Sequence, residues 1–309
     1  MAEPQSLHEV TPLWRSLPIS RATGRTVRLK MEALQPTGSF KIRGIGRLCA
    51  QAVAHGTRRF VSSSGGNAGV AVAYAGHVLN IPVTVHVFKG VPETARQRME
   101  ELGAEVLMAG PTWEQAHQAA TEAAMDPSVF YVHPFDHPEI WHGHSTMIDE
   151  IVAAGVRPEL IVLSVGGGGM LCGVLEGLER NGLTETRVLA VETHGTDSLN
   201  AALTAGKLVR LPKIDSVAKT LGAAQVATEA FEQARRRGVE SIVIDDAQAL
   251  SACRRFALDH RILVEPAAGA ALAAVYEQLG SVPRAEDVTI IVCGGVGIAL
   301  KDDIFAYSR

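Results

Sequence analysis

The sequence predicts an α/β fold in which parallel, twisted sheets are flanked by helices. Short β-branched runs alternate with helix-like segments, and turn-rich segments divide these runs into two groups. Because parallel strands need crossover connections, the alternation places helices on both faces of each sheet. The strand-like runs are RFVSS, VTVHVF, AEVLMA, VFYVH, LIVLSV, RVLAVE, SIVID and VTIIVC.

The turn-rich segments predict two domains. They lie around residues 34–38 and 133–138 and enclose four of the strand-like runs. We therefore expect a small inserted domain over residues 38–137 and a large domain built from residues 1–37 and 138–309. A single barrel closed by all the strands is the alternative architecture.

Composition and charge exclude several classes of partner. The chain of 309 residues is 47% hydrophobic, with a net charge of -4 and no basic stripe of the kind that binds nucleic acid. Its N-terminus lacks the basic and apolar regions of a secretory signal, and no stretch approaches the ~18 apolar residues of a membrane span. The four cysteines form no CxxC pair, which is typical of a reducing compartment. We therefore predict a cytoplasmic protein without nucleic-acid or membrane partners.

A run of four glycines follows one of the strand-like segments. The sequence LSVGGGGMLCGV, residues 163–174, is typical of a strand, a glycine loop and the start of a helix. Four glycines cost backbone entropy, which is understandable if the loop must curl tightly or bring its N–H groups close to a ligand. N–H donors and the positive end of a helix dipole together favour a phosphate. Neither GxGxxG nor GxxxxGK[ST] occurs, so we predict a small phosphorylated cofactor.

Lys41 is the candidate nucleophile. It lies in LQPTGSFKIRG, residues 34–44, beside Phe40 and close to two glycines, and only seven of the 29 basic residues are lysine. Partial desolvation in this setting would lower the pKa of the amine, which a Schiff base with a carbonyl compound requires. The phosphate loop and this lysine together predict a covalently bound carbonyl cofactor.

Two further segments place polar groups next to predicted strands. In FVSSSGGNAG, residues 60–69, hydroxyl and N–H groups at a helix start can bind a carboxylate, and Asn67 can donate to a phenolate oxygen. In VTIIVCGG, residues 288–295, Cys293 lies at the carboxyl end of a buried strand, where open α/β sheets bind ligands. Both segments are candidates for one shared site.

These motifs, with VTPLW at 10–14 and VEPAAGAALAAVY at 264–276, resemble the fold type II pyridoxal-phosphate enzymes. This is the tryptophan-synthase-β-like group, and the closest resemblance is to its serine/threonine dehydratases of the animal liver type. The resemblance covers nearly the whole chain and implies pyridoxal 5'-phosphate as cofactor, an amino acid as substrate and a homodimer as assembly. It implies dehydration and deamination of L-serine or L-threonine, which gives pyruvate or 2-oxobutanoate and ammonia.

The resemblance also implies a role for each candidate residue. Lys41 would bind the cofactor and act as base at the substrate Cα, Phe40 would lie against the pyridine ring, and Ser64 would assist departure of the β-hydroxyl. The cofactor would also contact Asn67, Gly166, Gly167, Gly168, Gly169, Met170 and Cys293. The substrate would contact Ser64, Gly65, Asn67, Ala68 and Phe135. Glu192 resembles a position that binds a monovalent cation such as K⁺.

The resemblance gives Cys293 a chemical consequence and leaves several alternatives open. A neutral thiol facing the pyridine nitrogen cannot keep it protonated as a carboxylate would, which favours β-elimination. Relatives read SSAGNAG where this chain reads SSSGGNAG, so Gly65 is expected to leave extra room beside the substrate.

An amino-acid racemase or a hydroxyaspartate dehydratase would share Lys41 and the glycine loop. An NAD-dependent oxidoreductase is a remote alternative, because the dinucleotide fingerprint fails. A metal hydrolase is disfavoured because prolines interrupt the segment that carries His133, His137, His142 and His144.

Overall fold

The computed structural model describes residues 6–295 and residue 298. Its strands form two separate sheets, and both are largely parallel. The strands are Leu13–Arg15 (β1), Thr26–Lys30 (β2), Arg59–Ser62 (β3), Val83–Val87 (β4), Glu105–Met108 (β5), Val129–Tyr131 (β6), Leu160–Ser164 (β7), Arg187–Thr193 (β8), Glu240–Ile244 (β9) and Asp287–Ile291 (β10).

Helices connect the parallel strands, as the crossover rule requires. Short 3-10 turns cover Glu32–Leu34, Lys219–Leu221 and Val282–Arg284. The α-helices are Leu17–Thr23 (α1), Lys41–Ala54 (α2), Asn67–Leu79 (α3), Glu93–Glu101 (α4), Trp113–Ala123 (α5), Pro138–Ala153 (α6), Gly169–Arg180 (α7), Ser198–Ala205 (α8), Thr228–Arg237 (α9), Asp246–His260 (α10) and Pro266–Tyr276 (α11).

The larger sheet has the strand order β1-β2-β10-β7-β8-β9, and the smaller sheet has the order β5-β4-β3-β6. Every predicted run forms a strand, so the α/β prediction is confirmed, and the single-barrel alternative is wrong. Strands β1 and β2 were not predicted. They pair antiparallel, with Leu13 opposite Lys30, so the larger sheet is mixed. Strand β1 has only three residues, and β2 carries two basic side chains that weaken its apolar signal.

Two apolar cores accompany the two sheets. The larger core contains the buried strands β7, β8 and β10 together with helix α11, in which every residue from Ala267 to Tyr276 is buried. The smaller core lies beside the four-stranded sheet and includes Leu7 and Ile140, which fall outside residues 38–137. The exact domain boundaries therefore stay a prediction. Within the described residues, the structure has no helix whose length and apolarity would let it cross a bilayer.

Candidate active site

Lys41 is the first residue of α2 and lies against the end of β10. The chain before it is anchored by two backbone hydrogen bonds: Phe40 N–H donates to Cys293 O at 3.0 Å, and Gly295 N–H donates to Gly38 O at 2.9 Å. The Lys41 Nζ donates to Pro134 O at 2.7 Å. The lysine that the sequence singled out is therefore brought to the end of a central strand of the larger sheet.

The environment of Lys41 favours a neutral amine. The side chain is largely withdrawn from solvent, and this desolvation lowers its pKa to about 8. The Glu265 carboxylate acts in the opposite direction, but its effect is smaller. A lysine with this pKa has an appreciable neutral fraction at neutral pH, which nucleophilic attack on a carbonyl requires.

Two aromatic rings flank the amine. The Lys41 Nζ lies 5.1 Å from the centroid of the Phe40 ring and 6.0 Å from that of Phe135. Phe135 also packs on the glycine loop, since a Cβ on Gly167 would lie 2.3 Å from the Phe135 ring, and one on Gly169 would lie 2.5 Å from its carbonyl oxygen. The glycine loop, Phe135 and Lys41 are thus neighbours, as the sequence predicted.

The glycine loop connects β7 to α7, and at Gly167, Gly168 and Gly169 a side chain would collide with neighbouring atoms. Gly168 has φ +94°, and a Cβ on it would lie 2.3 Å from the Cβ of Ala230. The loop leads directly into α7, which begins at Gly169 and continues with the buried Met170. A cradle of this kind exposes backbone N–H groups at a helix N-terminus, and these groups suit a phosphate.

Replacing Gly168 with alanine is expected to destabilise the protein and weaken its binding of pyridoxal phosphate. The left-handed backbone costs about 1–2 kcal/mol for a non-glycine residue, and the contact with Ala230 adds to this cost. Gly182→Ala is the matched control, because Gly182 has φ +66° and open space around it. Thermal unfolding and a cofactor titration measure both effects. Equal losses in the two variants would contradict a special role for the loop.

Asn67 is the first residue of α3 and faces a carboxylate that the sequence prediction missed. Its Nδ2 donates to Glu265 Oε1 at 2.7 Å, while its buried Oδ1 has no hydrogen-bond partner among the residues that the structure describes. The adjacent Ser64 is half-buried, and its Oγ accepts a hydrogen bond from Gly66 N–H at 3.4 Å. Ala68 is buried in the first turn of α3. A buried acceptor without a partner can receive a hydrogen bond from an ordered water or from a bound group.

The expectation of extra room at Gly65 is wrong. A Cβ on Gly65 would lie 2.2 Å from a methyl carbon of Val91, and Val91 is itself nearly buried. The side chain of Val91 therefore fills the space into which a side chain at position 65 would project. Val91 lies outside the SSSGGNAG motif, in the loop before α4, so the motif alone could not reveal this packing.

Cys293 is buried and neutral. Burial raises its pKa to about 12, and Glu265 acts in the same direction. Its Sγ lies 3.5 Å from the Ser164 Oγ at the end of β7. The thiol therefore carries no charge at neutral pH, and its position at the cofactor ring stays a prediction.

Glu192 and the histidines form no shared metal centre. The Glu192 carboxylate accepts hydrogen bonds from the N–H groups of Leu199 and Asn200, at 2.9 and 2.7 Å, and burial raises its pKa to about 8. The predicted cation at Glu192 stays a prediction.

Across residues 6–295, no group of three or more His, Cys, Asp or Glu side chains could hold a metal ion. The histidines of the interrupted segment have separate surroundings: His133 accepts from Asp136 N–H, His137 accepts from Glu139 N–H, His142 contacts Glu176, and His144 is fully buried.

The residues fit pyridoxal phosphate. The structure supplies a desolvated amine for the aldehyde, a side-chain-free cradle for the phosphate and, within the described residues, an unpartnered amide oxygen in the site. Lys41, Phe40, Asn67, Cys293 and the loop 166–170 are the residues that would hold the cofactor. Ser64, Gly65, Ala68 and Phe135 are the remaining candidates for contact with a substrate.

Comparison with known proteins supports this assignment. The family described as "Pyridoxal-phosphate dependent enzyme" matches residues 5–294. The chain is 45% identical to the human protein named "Serine dehydratase-like", over 97% of this chain and 94% of that protein. It is also 45% identical to the mouse "L-serine dehydratase/L-threonine deaminase", over 97% of this chain and 95% of that protein.

A solved structure gives the same result for the fold. The L-serine ammonia-lyase of the fungus Rhizomucor miehei matches with a TM-score of 0.89 and 36% identity, over 94% of this chain and 95% of that one. The two-sheet architecture is thus the type II fold that the sequence predicted. The chain belongs to the pyridoxal-phosphate-dependent enzyme family.

Proposed function

We propose that the protein dehydrates and deaminates L-serine, L-threonine or both, and so releases pyruvate or 2-oxobutanoate and ammonia. The observation that carries this proposal is the 45% identity, over nearly the whole chain, to relatives named for serine dehydration. The desolvated Lys41, the glycine loop and the neutral Cys293 supply the groups that such a reaction needs.

Bound pyridoxal phosphate supplies a ring that withdraws electrons from the substrate Cα. The glycine loop would hold the phosphate through its N–H groups, and the rings of Phe40 and Phe135, 5.1 and 6.0 Å from the Lys41 Nζ, help to keep water from the amine. Asn67 would hold the ring oxygen through its amide, and the neutral thiol of Cys293 would lie near the ring nitrogen. The N–H groups at the start of α3, beside Ser64 and Gly65, bind the substrate carboxylate.

Lys41 and Ser64 carry the proton transfers. Before substrate binds, the pKa of the Lys41 amine is lowered to about 8, so this amine would be able to accept a proton from the substrate Cα at neutral pH. The Cβ–O bond then breaks with its electron pair on oxygen, the proton that Lys41 took from Cα passes through the Ser64 hydroxyl to this oxygen, and water departs. The released enamine takes up water and loses ammonia, which completes the conversion to a keto acid.

The neutral thiol of Cys293 favours elimination over slower alternatives. Its raised pKa, about 12, keeps a negative charge away from the ring nitrogen, so a proton there is not stabilised as it would be by a carboxylate. The ring therefore withdraws electrons less strongly than it would beside a carboxylate. Loss of the β-hydroxyl can then compete with reprotonation at Cα.

A substrate panel tests the proposal. The holoenzyme is incubated with L-serine, L-threonine, D-serine and 3-hydroxyaspartate, and keto acid, ammonia and D-amino acid are quantified. We expect equal amounts of keto acid and ammonia from L-serine or L-threonine. Predominant formation of D-serine would indicate a racemase, and turnover confined to hydroxyaspartate would indicate the corresponding dehydratase.

The assembly and the domain division belong to the same proposal. Leu17 and Leu258 are exposed apolar side chains, and the segments that carry them meet where Ser16 Oγ lies 3.0 Å from His260 Nε2. This surface supports a homodimer, which sedimentation analysis tests.

We also propose residues 38–137 as the small domain, a monovalent cation near Glu192, and the cytoplasm as the location. Dependence of the activity on K⁺ tests the cation.

A further inference from the structure

Glu265 is a buried carboxylate to which the proposed reaction gives no role. It directly precedes α11 and is 1% exposed. A carboxylate at this position usually accepts hydrogen bonds from the first turn of its own helix. Here its Oε1 accepts from Asn67 Nδ2 at 2.7 Å and from Thr220 Oγ1 at 3.1 Å. Glu265 therefore joins three segments that are distant in the chain.

The contact with Glu265 fixes the orientation of the Asn67 amide. The Asn67 amide nitrogen donates to Glu265 Oε1, so the amide is oriented with its nitrogen toward the carboxylate. The Asn67 Oδ1 is left buried without a partner within the described residues, and the whole residue is only 7% exposed. Such an acceptor is unfavourable unless a bound group completes its hydrogen bonding. The second N–H and Oδ1 of Asn67 are thus oriented for a ligand.

The charge of Glu265 also acts on its neighbours in the site. Burial is the main cause of the lowered pKa of Lys41 and of the raised pKa of Cys293. The Glu265 carboxylate raises both values and so partly opposes the effect of burial on Lys41. The other titratable groups that interact with Lys41 are His133 and His144, and burial lowers the pKa of each.

We infer that Glu265 is a positioning residue, which orients the Asn67 amide toward the bound cofactor. Its bond to Asn67 also fastens the start of α3 to the part of the chain that carries the larger sheet, and Thr220 anchors the carboxylate there. The inference rests on the proposed function for the role of Asn67 at the cofactor ring. Because Glu265 reaches that ring through Asn67, we assign it no proton transfer.

Two substitutions separate the charge of Glu265 from its anchoring. Glu265→Gln removes the charge and keeps the size, whereas Thr220→Val keeps the charge and removes one anchor. In the cofactor-free protein, the pH dependence of Lys41 labelling by an amine-directed aryl fluoride gives the pKa of its amine. We expect that pKa to fall by about one unit in Glu265→Gln and to stay unchanged in Thr220→Val.

The holoenzyme provides the second readout. Visible circular dichroism reports the orientation of the bound cofactor, and we expect it to change in both variants. We expect kcat to fall on the order of 10²-fold in Glu265→Gln, with a smaller change in KM, because a misplaced amide affects the reacting geometry. Glu277→Gln, at the opposite end of α11, is the control and should leave every readout unchanged.

Two outcomes would overturn the inference, and a third separates it from the proposed function. An unchanged Lys41 pKa and unchanged circular dichroism in a folded Glu265→Gln variant would overturn it. If that variant does not fold, unchanged circular dichroism in Thr220→Val overturns it instead. If the protein does not deaminate serine, only the substrate panel fails, since labelling of Lys41 and dichroism of the cofactor do not depend on turnover.

Discussion

Replacing Lys41 with alanine is expected to abolish covalent binding of the cofactor and to lower activity by roughly 10²- to 10⁴-fold or more. The side chain supplies the desolvated amine between Phe40 and Phe135, and Phe135 in turn packs on the glycine loop. An absorption spectrum with and without borohydride measures the covalent bond. Keto-acid release from L-serine measures the activity.

Two other variants make the Lys41 result specific. Lys41→Arg keeps a positive charge but provides no amine that can react with an aldehyde, so it should lose the covalent bond as well. Lys89→Ala removes an exposed lysine after β4 and should change neither readout. Deamination at the parent rate by a Lys41→Ala variant that retains the visible absorption band would refute the assignment of the amine.

Replacing Arg43 with methionine is expected to lower the free energy of unfolding by about 3–5 kcal/mol. Arg43 is fully buried in the first turn of α2, and its guanidinium contacts Glu32 and Glu150, each at 2.7 Å. Lys30, also buried, contacts Glu150 as well. Without Arg43, Lys30 would remain as the one cation for the fully buried Glu32 and the partly buried Glu150, and an uncompensated buried charge is costly.

Arg47 provides the matched control for Arg43, because it follows four residues later on the same helix. It pairs with Glu139 at 2.9 Å, but both side chains are about one-quarter exposed. Arg47→Met should therefore cost at most about 1 kcal/mol. Urea unfolding of the cofactor-free proteins measures both changes. Equal losses for Arg43→Met and Arg47→Met would show that burial of the network does not matter.

The strands that the sequence predicted are those whose apolar residues are consecutive. Parallel strands buried on both faces, such as β7 and β10, read as continuous β-branched runs and are easily recognised. Strand β2 escaped because Lys30 looks like a surface residue, although it is 1% exposed. Its burial depends on Glu150, which is 120 residues away, so no local pattern could indicate it.

The candidate site was predictable where one segment carries its own chemistry. Lys41 and the glycine loop are recognisable because a lysine directly after a turn and four consecutive glycines are typical of ligand binding. Glu265 was missed because its partners lie 198 and 45 residues away. A signal did exist: the helix that follows Glu265 is apolar throughout and buried, so the residue at its start had to be buried too. Val91 gave no comparable signal.

Before pyridoxal phosphate binds, the folded chain must keep the Lys41 amine away from water. This amine has a pKa of about 8 in the folded chain and its ordinary value of 10.5 in the unfolded chain. Between these pH values the unfolded chain binds more protons, so the contribution of Lys41 to stability rises with pH and is lowest below about pH 8. Binding of the cofactor stabilises only the folded state, so the cofactor-free molecules are the ones that proteases degrade first. The lifetime of the protein is thus expected to follow the supply of vitamin B6.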